Sequence, residues 1–388
     1  MHNIVLKDDE SVRANLLPLT FTRPISLIRQ GIMTIKEKWE FLLPGNYFYE
    51  TADYLECKYK KPEQPTDNDI IIASHIIPDE RLVARIKALT PGQRLVSNGE
   101  EIARMGHEAT ETIELGPDET PLSIHHPYDI FKSNDIAIES DFALITKGRK
   151  SCKISESNTI IGDASKIFVE EGATVEGAII NAAKGHIYIG KGAEIMEGSC
   201  IRGALALLDG AIINMGSKIY GATTIGPHCK VGGELNNVVM IGYSNKAHDG
   251  FLGNAVIGEW CNLGAGCVAS NLKNDYTEIK LWNYPSRRFL KTGLQFCGLI
   301  MGDHSKAGIN TMFNTATVLG VGVNIHGSGF PRNFVASFTE GSPAGFSDVP
   351  LHKFFDIARR VMARRDVDLT EQDIEIYTKL YEITETYK

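Results

Sequence analysis

The sequence predicts a protein of two main parts, an α/β region followed by a parallel β-solenoid, with a helical tail. Strand-like and helix-like segments alternate over residues 1–122, and a six-residue repeat of aliphatic residues follows further along the chain. After Pro350 the spacing of apolar residues is helical again. The repeat comprises Ile189, Ile195, Ile201, Leu207, Ile213, Ile219, Ile225 and Val231.

The first 122 residues carry the pattern of a parallel α/β sheet. Residues 3–6 and 69–73 are short apolar runs typical of buried strands, whereas 25–42 and 79–89 have the apolar spacing of amphipathic helices. Strands that alternate with helices favour parallel pairing, with the helices packed on the sheet. We therefore expect an α/β domain over residues 1–122.

Prolines mark the next boundary. Pro121 and Pro127 bracket a junction, and residues 128–145 have a helical pattern that leads into the solenoid. The predicted parts after the α/β domain are a helical linker (123–150), the solenoid (151–345) and a helical tail (346–388).

The six-residue repeat predicts a triangular solenoid. Each step describes a short strand and a corner, and three steps close one coil. Residues eighteen positions apart then stack, so Ile189 lies under Leu207 and Ile225 at roughly the 4.8 Å spacing of paired strands. The phase of the repeat is lost twice, which predicts excursions from the solenoid at 237–256 and 270–298. Such excursions often carry function.

The composition predicts a soluble, cytoplasmic protein. The chain has 388 residues, a net charge of −8 and a pI of about 5.8, which disfavours nucleic acid or a membrane surface as a partner. No apolar stretch approaches the roughly 18 residues that cross a bilayer, and the first residues are strand-like instead of a signal peptide. The seven cysteines include no CxxC pair, so we expect reduced thiols, with Cys261 and Cys267 as buried apolar residues. No resident metal site is predicted.

A motif lies where the repeat first loses its phase. His248 opens a segment with a Leu-Gly turn, Asn262 stands shortly before Gly264-Ala265-Gly266, and Asn271 follows. This order resembles the acetyltransferase half of the bifunctional N-acetylglucosamine-1-phosphate uridyltransferase family, and the repeat resembles that of hexapeptide-repeat acyltransferases. The resemblance implies a left-handed parallel β-helix, preceded by a truncated nucleotidyltransferase-like α/β domain with a parallel sheet and followed by C-terminal helices.

His248 is the candidate catalytic base. Acyl transfer from a thioester to an amine needs a base with a pKa near neutrality, and imidazole is the natural choice. We expect His248 on a loop that leaves the solenoid, two residues after Lys246. Asn262 and Asn271 are expected to orient the base or a sugar phosphate through their side-chain amides. The backbone N–H groups at 264–266 are expected to stabilise the developing oxyanion.

The resemblance also implies ligands and an assembly. It implies acetyl-CoA as the acyl donor and a sugar phosphate as the acceptor. The donor is expected in a groove between neighbouring subunits of a homotrimer, near Ala265, Asn310 and Gly327.

Three positions depart from the family pattern at the acceptor site. The aromatic hydroxyl after the histidine is replaced by Phe251, the tyrosine after the second asparagine by Leu272, and the upstream lysine is missing from 236–238. Each change removes a polar contact, so the acceptor need not be glucosamine 1-phosphate. The second excursion has aromatic and basic residues suited to a sugar phosphate, and its alternative role is a structural arm. The substrate-binding candidates are Lys246, Phe251, Tyr220, Arg287 and Arg288.

The N-terminal region resembles the sugar-phosphate nucleotidyltransferases through residues 17–20, Leu-Pro-Leu-Thr, and the basic segment after them. In those enzymes a glycine-rich loop cradles the nucleotide phosphates, whereas residues 6–13 here carry three acidic side chains. The family's metal-binding Gly-Asp is absent from 72–75. The resemblance implies Mg²⁺ and a nucleoside triphosphate as ligands, and these departures make the nucleotidyl transfer doubtful. The phosphate-binding candidates are Arg23, Arg29 and Lys36, for which surface charge on a helix is the alternative.

The tail adds a basic cluster. Its helices are predicted over 354–365 and 370–387, and four arginines lie in the first: Arg359, Arg360, Arg364 and Arg365. We expect them on a solvated helix face, with binding of an anionic ligand or an acidic neighbour as the alternative.

Three functions are compatible with these patterns. The favoured one is an acyl-CoA-dependent N-acetyltransferase that acts on an amino-sugar phosphate through His248, fused to a nucleotidyltransferase-like domain. The second is a regulatory protein in which both sites have decayed and only bind a nucleotide or sugar phosphate. The third is a trimeric structural scaffold.

Overall fold

The computed structural model describes residues 3–388, and its N-terminal part is a six-stranded sheet with short helices. The strands are β1 (Asn3–Lys7), β2 (Asn46–Glu50), β3 (Ile70–Ala73), β4 (Gln93–Ser97), β5 (Glu100–Met105) and β6 (Glu111–Glu114). The helices of the whole chain are α1 (Glu10–Asn15), α2 (Ile35–Leu42), α3 (Glu80–Lys87), α4 (Pro127–Lys132), α5 (Asn134–Thr146), α6 (Leu351–Ala363) and α7 (Glu371–Thr384). Among residues 3–388, no helix combines the length and apolar character that a membrane crossing requires.

The N-terminal sheet is mixed, with the strand order β2-β1-β3-β5-β4-β6. The predicted parallel pairing holds for β2, β1 and β3, whereas β5 runs antiparallel to both β3 and β4. The reversal occurs at the turn between β4 and β5, where Asn98 and Gly99 have φ of 52° and 81°. Two consecutive residues with positive φ form the tight turn that joins antiparallel strands.

The helix predicted over 25–42 is wrong in its first half. The structure has a 3-10 turn at Ile25–Leu27 and begins α2 only at Ile35. Gly31 interrupts the segment with φ of 76°, and Thr34 then starts α2 through a capping box with Glu37. The helix predicted over 79–89 is present as α3, and the Asp79 side chain accepts a hydrogen bond from the N–H of Leu82.

The linker helix is divided in two and connects the two main parts. Helices α4 and α5 meet at Ser133. Directly after it, buried Asn134 accepts a hydrogen bond from the Gly31 N–H at 2.7 Å and donates to the Ala222 carbonyl at 2.9 Å. One side chain thus joins the N-terminal part, the linker and the solenoid.

The solenoid is a parallel β-helix of short strands. Its first strands are β7 (Thr159–Ile161), β8 (Ile167–Val169), β9 (Thr174–Val175), β10 (Ile179–Asn181), β11 (Ile187–Ile189), β12 (Glu194–Ile195), β13 (Cys200–Arg202), β14 (Leu205–Leu207), β15 (Ile212–Ile213), β16 (Lys218–Tyr220), β17 (Thr223–Ile225), β18 (Lys230–Val231) and β19 (Glu234–Gly242). The later strands are β20 (Asn245–Lys246), β21 (Gly250–Glu259), β22 (Asn262–Leu263), β23 (Cys267–Ala269), β24 (Lys280–Asn283), β25 (Arg288–Lys291), β26 (Ile300–Met301), β27 (Lys306–Ala307), β28 (Met312–Phe313), β29 (Val318–Leu319), β30 (Asn324–Ile325), β31 (Phe334–Val335), β32 (Thr339–Ser342) and β33 (Gly345–Asp348).

The predicted stacking of the repeat is confirmed. Ile189 pairs with Leu207 and Leu207 with Ile225, all in parallel register and all fully buried. Each aliphatic side chain therefore packs on the one eighteen residues away, and together they form the continuous core of the β-helix. Cys261 and Cys267 are buried in this core at 1% exposure, as their spacing predicts.

The first predicted excursion, 237–256, does not leave the β-helix. Strand β19 pairs with β21 over nearly its whole length. Ile225 pairs with Met240 and Met240 with Ile257, so these two coils contain 15 and 17 residues. The repeat loses its phase because the coils are shorter, while the chain keeps winding. The second excursion, 270–298, is present and contains the antiparallel hairpin β24–β25.

The N-terminal part and the β-helix share one hydrophobic core. Buried residues of both, and of the C-terminal helices, belong to one cluster. At its edge, buried Arg23 pairs with Asp303 and also contacts the Glu259 carboxylate at 3.1 Å. Thr22 donates a 2.6 Å hydrogen bond to the same Asp303. The α/β region is thus docked on the side of the β-helix by charge as well as by apolar packing.

Candidate functional site

A cavity of about 590 Å³ opens beside His248. One wall is a column of outward-facing polar residues on β18, β20, β22 and β27, and the other is the end of helix α6. The column is a register of directly paired residues: Lys230 opposite Asn245, Asn245 opposite Asn262, and Asn262 opposite Lys306. Residues that lie far apart in sequence therefore meet in a single row because the coils stack.

The charged side chains that line this cavity are basic. They are Lys230, Lys306, Arg364 and Arg365, with His248 as a further titratable group and no carboxylate in the lining. Arg365 donates a 3.1 Å hydrogen bond to the side-chain oxygen of Asn245, which joins α6 to the polar column. Burial lowers the pKa of Lys306 and raises that of Cys261 to about 12, so this thiol stays neutral. The wall charge suits an anionic ligand.

Aromatic rings form the corner of the β-helix behind the cavity. The rings of Tyr243 and Trp260, which both line the cavity, stack at 4.3 Å, and His228 and His304 extend the stack on either side. All four residues have φ between 53° and 61°, a region that non-glycine residues rarely occupy. The preceding coil has Gly210 at this corner, with φ of 62°. The edges of the Tyr243 and Trp260 rings thus form the aromatic floor of the cavity.

His248 is exposed at the corner between β20 and β21, not on an excursion loop. Lys246, predicted to bind substrate, is 1% exposed, and its Nζ donates to the carbonyl oxygens of Gly232 at 3.0 Å and His248 at 2.6 Å. Burial lowers the pKa of Lys246. The Lys246 ammonium group therefore holds the backbone of the histidine corner from inside, and the residue is absent from the cavity lining.

The predicted oxyanion donors reduce to one residue. The N–H groups of Gly264 and Gly266 donate to the carbonyls of Ala307 and Asp249, each at 2.9 Å. Ala265 lines the cavity, and its N–H has no backbone acceptor among residues 3–388. The Ala265 N–H is therefore the backbone donor that a ligand beside His248 can reach. The exposed Asn262 lines the same cavity.

Three other predicted residues lie on the neighbouring face of the β-helix, outside the lining of the cavity. The Asn271 side chain donates to Asn254 at 2.8 Å and its backbone carbonyl accepts from Cys297. Tyr220 donates to Glu234 at 2.6 Å, which raises the tyrosine pKa to about 12. Phe251 pairs with Val268 on that face. Within one chain, His248, Asn262 and Asn271 therefore do not form a single site.

The other two predicted cofactor-binding residues, Asn310 and Gly327, lie in later coils of the β-helix, outside the cavity lining. The Asn310 N–H donates to the Ala265 carbonyl at 2.7 Å, which places Asn310 one coil further along. Gly327 has φ of 82° and lies against Ser342. Neither lines the cavity, so only Ala265 of the three joins the His248 site.

Arg287 and Arg288 lie on the hairpin β24–β25, which packs against β31 and the C-terminal end of the chain. Trp282 stacks on Phe334 at 4.2 Å, and the Arg287 guanidinium lies 5.4 Å from the Tyr387 ring centre. The hairpin does not reach the His248 cavity. The substrate-binding prediction for both arginines is thus not supported, since the aromatic residues fix the hairpin as an arm within the chain.

The N-terminal region has its own cavity of about 810 Å³, at the end of β1. Its lining has five carboxylates and three basic side chains, an unfavourable balance for a triphosphate. Asp8 accepts hydrogen bonds from the Ile25 N–H, Thr51 and Ser74, and it pairs with Arg13. The Asp9 carboxylate caps helix α1. These two carboxylates are engaged by the fold and do not form a ready Mg²⁺ site.

The three phosphate candidates of this region have protein partners instead. Arg23 is buried against Asp303, and the neighbouring carboxylates raise its pKa despite burial. Arg29 donates to the Ile32 carbonyl at 2.6 Å, and Lys36 pairs with Glu40. We therefore leave Arg23, Arg29 and Lys36 out of the candidate site.

The sequence pattern does not predict that the basic residues of this wall line a cavity. Arg364 and Arg365 were expected on a solvated face, with an anionic ligand as the alternative, and the structure places them in the cavity. Lys230 and Lys306 were not predicted at all. The signal that could have found them is the coil register, which puts both lysines in the column of Asn262.

Comparison with known proteins finds similarity to sugar nucleotidyl transferases and to bifunctional proteins of sugar-1-phosphate metabolism. Residues 4–150 match the model of a family described as sugar nucleotidyl transferase. A bifunctional sugar-1-phosphate nucleotidylyltransferase/acetyltransferase of Sulfurisphaera tokodaii is 30% identical over 145 residues, 37% of this chain and 36% of that protein. The bifunctional protein GlmU of Trichodesmium erythraeum is 29% identical over 140 residues, 36% of this chain and 25% of that protein.

A solved structure, the polysialic acid O-acetyltransferase OatWY, is 12% identical and covers 51% of this chain and 82% of its own, with a TM-score of 0.19. That score is too low to support an argument. The chain thus joins an N-terminal region similar to sugar nucleotidyl transferases to a parallel β-helix. More particularly, the chain is similar to the bifunctional sugar-1-phosphate nucleotidylyltransferase/acetyltransferases, although it spans only about a third or less of the length of these curated relatives.

Proposed function

We propose that this chain is a transferase of sugar-nucleotide metabolism, in which the His248 cavity transfers an acetyl group from acetyl-CoA to an amino-sugar phosphate. The observation that carries the proposal is the meeting of an exposed histidine with a basic wall and an aromatic floor. The volume of about 590 Å³ lies within the range of small-molecule sites.

The wall is suited to phosphate groups. Arg364 and Arg365 carry planar guanidinium groups that bind phosphate in pairs of hydrogen bonds, and Lys230 and Lys306 add positive charge on the opposite side. Both acetyl-CoA and a sugar phosphate carry such groups. The edges of the Tyr243 and Trp260 rings offer an apolar surface to part of the ligand, since their faces are covered by each other and by His228 and His304.

The chemistry assigns one role to each polar group near the corner. The acceptor amine attacks the thioester carbonyl carbon, the C–S bond breaks, and His248 takes the proton that the amine loses. The thiolate of CoA leaves and is protonated. The N–H of Ala265 can donate to the carbonyl oxygen as its negative charge develops, and Asn262 can orient the acceptor. Lys246 positions the histidine through its backbone.

The N-terminal region has weaker support for nucleotidyl transfer. Its match over residues 4–150 favours a fold related to sugar nucleotidyl transferases. Its acidic cavity and the engaged Asp8 argue against efficient binding of a triphosphate with Mg²⁺. We propose no step through that metal. We further propose a homotrimer, in which the Asn271 face of one copy completes the cavity of a neighbouring copy. The cytoplasm is its proposed location.

The test is release of free CoA by the purified protein from acetyl-CoA and a panel of amino-sugar phosphates. We expect His248→Ala to lower turnover at least about a hundredfold, in the usual range for a lost general base. His107→Ala is the control, because His107 is an exposed histidine outside the cavity. Pyrophosphate release from nucleoside triphosphate and sugar 1-phosphate, measured in parallel, reports on the N-terminal region.

The outcomes separate the alternatives. Acetyl transfer that survives His248→Ala would refute the histidine's role. Binding of a sugar phosphate or nucleotide without turnover would support a regulatory binding protein instead. Absence of binding and turnover with every ligand would leave the scaffold function.

A further inference from the structure

Three side chains with metal-ligating atoms meet at the carboxyl end of β3, outside both cavities. They are His75, Glu100 and His125, and one ligand atom of each lies within 4.8 Å of the other two. The His75 Nε2 is 2.7 Å from the nearer Glu100 oxygen, and the His125 Nε2 is 3.8 Å from the other. Among residues 3–388 this is the one group of three such side chains that comes so close.

The backbone holds this cluster in place. His75 lies two residues after the end of β3 and is 1% exposed, and its carbonyl accepts a hydrogen bond from the Ile124 N–H. An isolated bridge between Ile76 and Ser123 brings the segment with His125 alongside. Glu100 begins β5 just after the tight turn, so its side chain projects from the same edge of the sheet. The three ligands thus come from three separate segments on a common scaffold.

The cluster contains a buried polar atom without a partner. The Nδ1 of His75 has no hydrogen-bond partner within the described chain, so the Glu100 carboxylate at Nε2 is the one hydrogen-bond partner of this buried ring.

We propose that His75, Glu100 and His125 bind a divalent transition metal ion of the zinc type. A tetrahedral ion with ligands at about 2.1 Å places neighbouring ligand atoms roughly 3.4 Å apart, and the two observed separations from Glu100 lie on either side of that value. Two imidazoles and a carboxylate select zinc-like ions, whereas Mg²⁺ and Ca²⁺ prefer oxygen ligands. Three protein ligands leave one position for water or a small ligand.

The site is open to the solvent on one side. The side chains of His125 and Glu100 are each 37% exposed, whereas His75 is fixed in the interior. An ion can therefore reach His75 from the surface, past the two partly exposed ligands. The Ser123 hydroxyl, 3.0 Å from the His125 Nε2, is the group that the ion must displace from that nitrogen.

The proposal is tested by Zn²⁺ binding to the full-length protein. The protein is first treated with a chelator to strip bound metal, and the chelator is then removed by dialysis. Isothermal titration calorimetry with Zn²⁺ should give one saturable site, and Co²⁺ in its place should give the visible absorption of a four- or five-coordinate ion. We expect His125→Ala and Glu100→Gln each to weaken Zn²⁺ binding at least about tenfold. His126→Ala is the matched control, because His126 is the adjacent histidine and stacks on Tyr128 outside the cluster.

Both variants alter partly exposed side chains, so circular dichroism should match the wild type. Excess Mg²⁺ should not displace the Zn²⁺. Absence of a saturable site, or equal affinity in the wild type and both variants, would overturn the proposal. A loss of affinity in His126→Ala that equals that of His125→Ala would do so as well.

Discussion

Replacing Arg23 with Gln removes the charge that docks the N-terminal region on the β-helix. In the wild type the Arg23 guanidinium pairs with Asp303, whose side chain is 2% exposed, and with Glu259, whose side chain is 33% exposed. The variant leaves the Asp303 carboxylate buried without its positive partner. The partly exposed Glu259 can turn to water, so most of the loss arises at Asp303.

The expected cost follows from the burial of this carboxylate. Removing one partner of a buried ion pair destabilises proteins by about 3–5 kcal/mol. Asp303 keeps hydrogen bonds from the Thr22 hydroxyl at 2.6 Å and the Glu259 N–H at 2.8 Å, which place the estimate at the lower end, about 3 kcal/mol. The double variant Arg23→Gln/Asp303→Asn should recover part of this loss because no unpaired charge is left.

Urea unfolding followed by tryptophan fluorescence measures this effect. The chain has three tryptophans, and Trp39 lies in the N-terminal region whereas Trp260 lies in the β-helix, so the signal reports on both parts. Arg81→Gln is the control, because Arg81 is 74% exposed and its contact with Asp79 is 3.6 Å. A loss for Arg23→Gln within about 0.5 kcal/mol of this control would refute the reasoning.

Two further predictions concern the His248 cavity. Arg365→Gln should raise the KM for the phosphate-bearing substrate about tenfold or more with a smaller change in kcat, from steady-state CoA release; Arg360→Gln on the exposed side of α6 is the control, and an equal effect would exclude Arg365 from the site. Lys246→Met should flatten the pH dependence of unfolding. The pKa of Lys246 is lowered by burial, so the unfolded chain binds this proton more tightly and wild-type stability rises with pH towards the ordinary value of 10.5. Urea unfolding at about pH 7 and pH 10 checks it, and parallel pH curves for the two proteins would contradict it.

The β-helix core could be predicted from the sequence because its cause is local. Each coil needs one inward aliphatic side chain per step, and that requirement repeats in the sequence as Ile189, Leu207 and Ile225. The coils after Ile225 were misjudged because a shorter coil and an excursion both break the phase. Only the pairing of Met240 with Ile257 distinguishes them, and that pairing depends on residues in other coils.

The site was predictable only in part, for the same physical reason. His248, Asn262 and Ala265 lie within one motif and do share the cavity. Lys230 and Lys306 join them through the stacking of coils, which no local pattern records. The charges of Arg23, Arg29 and Lys36 looked free in the sequence, yet their carboxylate and carbonyl partners lie elsewhere in the fold.

Helix α6 explains why the basic wall stands where it does. Phe354, Ala358 and Met362 recur at four-residue spacing and are buried, so they fix one face of α6 on the core. The helix then ends at Arg364, with the cavity at its carboxyl terminus. That terminus carries partial negative charge, which the two arginines offset in the free protein. An anionic ligand in the cavity lies near this negative helix end, so the positive charge of the lysines on the opposite wall adds to its affinity.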